Sequence, residues 1–91
     1  MKQAKRLFLK GSVQGMFFRQ FIKDTADKIG VKGFVRNLED GRVEVFIEGN
    51  VDNVAQMDAV CRRGSPHSHI RNVEEKEEHF QDFKDFRIVK I

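Results

Sequence analysis

The chain has no tryptophan and no tyrosine, one cysteine, one proline and no long apolar run. A single thiol, Cys61, excludes an intramolecular disulfide and a cysteine-based zinc site, and a reducing cytosol is its natural compartment. After the basic start Met1 to Arg6, only Leu7, Phe8 and Leu9 follow before Lys10. A signal peptide needs about 7–15 apolar residues there, and a membrane span about 20. A cytoplasmic protein is therefore expected. Phenylalanine, nine copies, is the only aromatic, and because it lacks a polar handle most of these rings are expected in the core.

What is present describes one small domain, residues 1–91. Apolar residues make up 40% and charged residues 34%, an ordinary balance for a globular chain rather than a disordered one. Seventeen Lys and Arg against fourteen Asp and Glu leave a charge of +3. That mild excess steers small anions and is thin support for nucleic-acid binding. Surplus lysine for solubility is the plainer explanation before any motif is weighed.

The pattern along the chain predicts strand, helix, strand, strand, helix, strand and a short terminal strand. Residues 6–13 read as a strand, with Leu7 and Leu9 on one face. Apolar residues at 18, 21, 22, 26 and 29 mark an amphipathic helix, with Gly30 placed to end it in a left-handed cap. Segments 34–38 and 42–48 form a hairpin around Glu39-Asp40-Gly41. In its second arm Val43, Val45 and Ile47 face a core, whereas Glu44, Phe46 and Glu48 face a side expected to be mostly wet. A second helix covers about 52–63, capped by Asn50 or Asp52, with Arg62 and Arg63 at its negative end. Residues 70–78 read as an edge strand whose acidic run, 74–78, is a solvated face that discourages strand pairing. Phe86, Ile88 and Val89 suggest the last strand. The order is the split βαβ pattern of an α+β, ferredoxin-like fold, an antiparallel sheet with two helices on one face. Fold alone names no activity.

Chemistry concentrates between the first strand and the first helix, at Gly11-Ser12-Val13-Gln14-Gly15-Met16-Phe17-Phe18-Arg19. A helix start offers unpaired amides and a favourable dipole, no capping side chain precedes this one, and the glycines allow the backbone to curl into an anion nest. Arg19, in the first turn, carries a planar fork suited to two phosphoryl oxygens. The glycine spacing and the missing Lys-Ser/Thr pair exclude a Walker loop. An ordinary glycine-bearing connection is the alternative for this stretch. Asn37, at the end of a strand before a turn, reads on its own as a turn residue.

Together the two stretches say more. Leu9-Lys10-Gly11-Ser12-Val13-Gln14-Gly15 through Phe18-Arg19 resembles the phosphate-binding signature of the acylphosphatase family. Gly33-Phe34-Val35-Arg36-Asn37, then Gly41, Val43 and Gly49, is similar to the second signature of that family. The resemblance implies an enzyme that cleaves the carboxyl-phosphate bond of acyl phosphates without metal or cofactor. Amides of Gln14, Gly15, Met16, Phe17, Phe18 and Arg19 would cradle the phosphoryl group, Arg19 would bind its oxygens, and Asn37 would hold the attacking water. It also implies a monomer acting on a small molecule, with inorganic phosphate as product and inhibitor, and no nucleic-acid or membrane partner. Met16 stands where the family usually has Val, and Leu38 where many members carry Thr. These departures are expected to alter rate or stability rather than abolish activity.

Such a spare site suits this substrate. Phosphoryl transfer depends on positioning and on charge stabilisation, and a carboxylate leaving group, with a conjugate acid near pKa 4, departs without a proton from the enzyme. An alkoxide would need a general acid or a metal. Two rivals share the element order. An RNA-recognition module is suggested by Lys32-Gly33-Phe34-Val35, but that run falls on the second strand, and Glu44 and Glu48 would repel phosphates. A catalytically silent domain of the same fold is the other. His67 and His69 lack a third ligand and read as solvated, Cys61 reads as inert core, and Lys23, Asp24, Asp27 and Lys28 form surface pairs on the first helix.

Overall fold

The structure is a computed structural model that describes residues 1–13 and 15–90. Strand β1 (Lys2–Ser12) leads to helix α1 (Met16–Ile29), then β2 (Lys32–Asn37), β3 (Val43–Asn50), helix α2 (Val51–Arg63), β4 (His69–Glu78) and β5 (Phe86–Ile88). The strands form one sheet in the order β4-β1-β3-β2-β5. The ferredoxin-like expectation holds, with one correction. The sheet is mixed, because β5 pairs parallel to β2 while every other pairing is antiparallel.

Alternation explains the core. Leu7, Leu9, Val35, Val43, Val45 and Ile47 point to the helix side and are fully buried. They meet Phe18, Ile22 and Ala26 of α1 and Val54, Met57 and Cys61 of α2. Each such aliphatic side chain contributes about 1.5–3 kcal/mol through burial. The helix ends obey local rules. Gly30 closes α1 at φ 101° and ψ 18°, and the Asn50 side chain caps α2 by accepting from the Asp52 amide at 2.9 Å. Burial pushes the Cys61 thiol up to about 12, which leaves it inert.

The far face of β3 is not wet. Every residue from Val43 to Glu48 is buried. The segment 79–85, running from β4 at one edge of the sheet to β5 at the other, lies against this face. Glu48, with no exposure at all, accepts the amide hydrogens of Gln81 (2.6 Å) and Phe83 (2.5 Å). The Phe83 ring packs edge-on against Phe34 and Phe46, with centroids 5.9 and 5.3 Å away. Glu44 is held by Arg6 and by Arg36, whose Nε is 2.5 Å from Oε1. The two carboxylates expected to repel phosphate are thus internal partners. Of the nine Phe, only Phe18, Phe46 and Phe86 are buried, and several others line this second face. The acidic run on edge strand β4 is tied down as well. Glu75 meets Lys5 and Arg62, and Glu78 meets Arg6.

Candidate active site

Three elements converge on the end of the sheet where β1 stops. Helix α1 begins there because Phe18, 3% exposed, drives its first turn into the core. Its N-cap is Gly15, at φ 101° and ψ 166°, and no side chain caps the helix. A side chain at Gly15 is opposed by this φ rather than by crowding, since an added Cβ would meet nothing within 4 Å. The first turn holds no acidic residue. Amides of Met16, Phe17 and Phe18 therefore stand at an uncapped helix start that is open on one side, the arrangement that favours an anion. Gln14, expected to add an amide, lies outside the described residues.

Arg19 leaves the first turn half-buried and folds back, its Nε 3.4 Å from the Gly15 carbonyl oxygen. It forms no ion pair with any described residue. Asn37 ends β2 opposite Val43 of β3. The turn beyond it is closed by the Leu38 amide donating to the Arg42 carbonyl (2.8 Å) and the Gly41 amide to the Leu38 carbonyl (3.1 Å). β2 itself approaches β3 closely, since a Cβ on Gly33 would fall 1.9 Å from the Phe46 carbonyl oxygen. The backbone at Asn37 is thereby fixed in place, and the side-chain Oδ1 is buried without a hydrogen-bond partner among the described residues. Such an orphan costs about 1–3 kcal/mol, so a functional reason for it is expected.

Arg19 and Asn37 line the same cavity, of about 400 Å³, together with Met16, Val89 and Lys90. Met16 is a wall of this cavity, 41% exposed, rather than a packing residue behind the cradle. Phe17 is 94% exposed and is not among the lining residues. Leu38 is not among the lining residues. Val89 and Lys90 were not legible as site residues. Val89 reads as the end of a short strand, and only the parallel pairing of β5 with β2 brings it and its neighbour here. His67 and His69 are exposed, and among the described residues no three His, Cys, Asp or Glu are grouped to hold a metal.

A carboxamide and a guanidinium lining one cavity, with the uncapped start of α1 at Met16 beside them, suit attack on a phosphoryl group. Comparisons with known proteins agree. The acylphosphatase family model matches residues 5–88. An acylphosphatase of Syntrophobacter fumaroxidans is 43% identical over 88 residues, covering 96% of this chain and 91% of its own. One from Pyrobaculum calidifontis is 47% identical over 85 residues, covering 91% and 77%. Among solved structures, the acylphosphatase from Bacillus subtilis superposes with a TM-score of 0.90 at 33% identity, over 99% of this chain and 100% of that one.

Proposed function

Because the chain belongs to the acylphosphatase family and hydrolyses acyl phosphates to carboxylate and inorganic phosphate, we propose that the reaction runs in the cavity between Arg19 and Asn37. The observation that carries this reading is that Asn37, whose Oδ1 is buried without a partner among the described residues, lines the same cavity as an Arg19 that forms no ion pair with any described residue. The amides at the start of α1 and the Arg19 fork hold the phosphoryl oxygens. The Asn37 carboxamide hydrogen-bonds the attacking water and aims its oxygen at phosphorus, in line with the leaving group. The water oxygen forms the new P–O bond while the bridging P–O bond breaks, its electron pair leaving with the carboxylate. The water's protons remain with the phosphate product and the medium. As negative charge shifts across the equatorial oxygens, the amides and guanidinium are already oriented towards it.

The protein acts in the cytosol as a monomer and on small molecules, not on nucleic acid. The absence of a membrane-length apolar helix among the described residues is compatible with this. Against nucleic-acid binding stands Phe46, the ring a stacking sheet would offer, which is 1% exposed against Phe83.

The test is hydrolysis of benzoyl phosphate without added metal, with and without a chelator, for the wild type, Arg19→Gln and Asn37→Ala. Chelator-insensitive turnover with competitive inhibition by inorganic phosphate is expected. Near-wild-type activity in both variants would reject the assigned roles.

A further inference from the structure

We infer that Lys90, outside both sequence motifs, is a second phosphate-binding cation that β5 carries into the site, an inference that rests on the cavity being the phosphoryl site. Among the described residues the cavity is lined by two cations, one carboxamide and two apolar side chains, and by no carboxylate.

Lys90 reaches it for structural reasons. Phe86, 2% exposed, anchors β5 in the core, and the parallel register sets Phe86, Arg87 and Ile88 beside Gly33, Phe34 and Val35. The Val89 amide then donates to the Val35 carbonyl oxygen at 2.9 Å. Two further residues along that register lie Asn37 on β2 and Lys90 on the departing chain. Arg19 enters from helix α1, so the two cations come from different elements.

Their neighbours are neutralised and they are not. Arg36, next to Asn37, is bound to Glu44 at 2.5 Å, and Arg87 on β5 is bound to Asp85 at 3.0 Å. Among the described residues neither Arg19 nor Lys90 forms an ion pair. Two such charges at one cavity with no carboxylate among its described lining residues suit an anion carrying more than one charge. A planar guanidinium grips two oxygens of a phosphoryl group, and a flexible ammonium, acting as a point charge, suits the third. Substrate and inorganic phosphate present those oxygens alike. Lys90 therefore binds both, and binds the ground state and transition state about equally, which affects KM and leaves kcat.

The experiment measures kcat and KM for benzoyl phosphate and the inhibition constant of inorganic phosphate for the wild type, Lys90→Met, Lys90→Arg and Arg19→Gln. Lys90 is exposed, so a thermal melt should show Lys90→Met folded as the wild type. Lys90→Met is expected to raise KM and the phosphate constant together, about two- to fivefold as for an exposed ion pair, with kcat within about twofold. Lys90→Arg should restore both constants, and the gap should narrow at about 0.5 M salt as charges are screened. Unchanged constants, a rise in KM alone, or a fall in kcat at constant KM would each overturn the inference. If Lys90→Met matches the wild type while Arg19→Gln is inactive, only the role of Lys90 fails. If Arg19→Gln keeps full turnover, the site reading itself fails.

Discussion

Arg19 Nε and the Gly15 carbonyl oxygen are 3.4 Å apart, so the guanidinium is folded over the first turn of its own helix by a weak contact. This holds the fork near the amides of that turn without committing its donors. A phosphoryl group can displace the contact at little cost.

Replacing Arg19 therefore removes charge stabilisation and little structure. Arg19→Gln is expected to lower kcat/KM by about 10³-fold or more, the range in which other phosphoryl-transfer enzymes depend on an arginine. Its melting temperature should stay within a few degrees of the wild type, since no ion pair with a described residue is lost. Steady-state kinetics and a thermal melt on one preparation check both halves.

Asn37 couples activity to stability in the opposite sense. Its buried Oδ1 has no partner among the described residues, so Asn37→Ala removes an unsatisfied acceptor. We expect turnover to fall about 10²-fold or more as the water loses its tether. Stability should hold or rise by about 1 kcal/mol. A variant that lost stability along with activity would show Asn37 to be a structural turn residue.

How much of this was legible in the sequence depended on whether burial and polarity agreed. In α1 they agree, and the stripe from Phe18 to Ile29 with its Gly30 cap is found as read; the helix starts earlier, at Met16, because Met16 and Phe17 are exposed and carry no periodic signal. In β1 they conflict. Lys5 is buried on the helix side against Asp58, so the alternation seemed to begin only at residue 6, whereas the strand begins at Lys2. The outer face of β3 failed for the same reason, since Glu44 and Glu48 look solvated until their partners are known. Those partners, Arg6, Arg36 and the amides of Gln81 and Phe83, include groups distant along the chain. Arg19 and Asn37 stand out as candidates in the sequence because each sits in a local signature, and both line the cavity. Lys90 does not stand out, because its place depends on which strand β5 joins.

The segment over that outer face offers a test of its own. Glu48→Ala leaves the part-buried amides of Gln81 and Phe83 without their acceptor, at a cost of about 2–4 kcal/mol. Glu48→Gln keeps one acceptor oxygen and should lose about half as much. Since residues 79–85 lead directly into β5, Glu48→Ala should also raise KM for benzoyl phosphate more than it lowers kcat. Chemical denaturation and kinetics of the two variants check this, and a Glu48→Ala protein as stable as the wild type would contradict it.

The ion-pair group between β1 and α2 contributes to the response to acid. Lys5 Nζ lies 2.7 Å from Asp58 Oδ2, and Arg62 Nε lies 2.5 Å from Oδ1. Burial alone would raise the Asp58 carboxyl, but the hydrogen bonds and charges of Lys5 and Arg62 outweigh it and hold the group below its ordinary value. A carboxyl depressed in the folded state stabilises the protein fully above its unfolded value, about 3.9, and that contribution is lost as pH falls through the folded value. Asp58→Asn is therefore expected to cost about 1–3 kcal/mol at pH 7, or about 5–15 °C in melting temperature. The lower end applies if Glu75, 3.3 Å from Lys5, takes over part of the pairing. The difference between variant and wild type should shrink as pH drops from about 5 to about 2, because protonation removes the same charge from the wild type. Urea denaturation at several pH values measures it, and a gap that stayed constant over that range would show that Asp58 acts through packing and not through its charge.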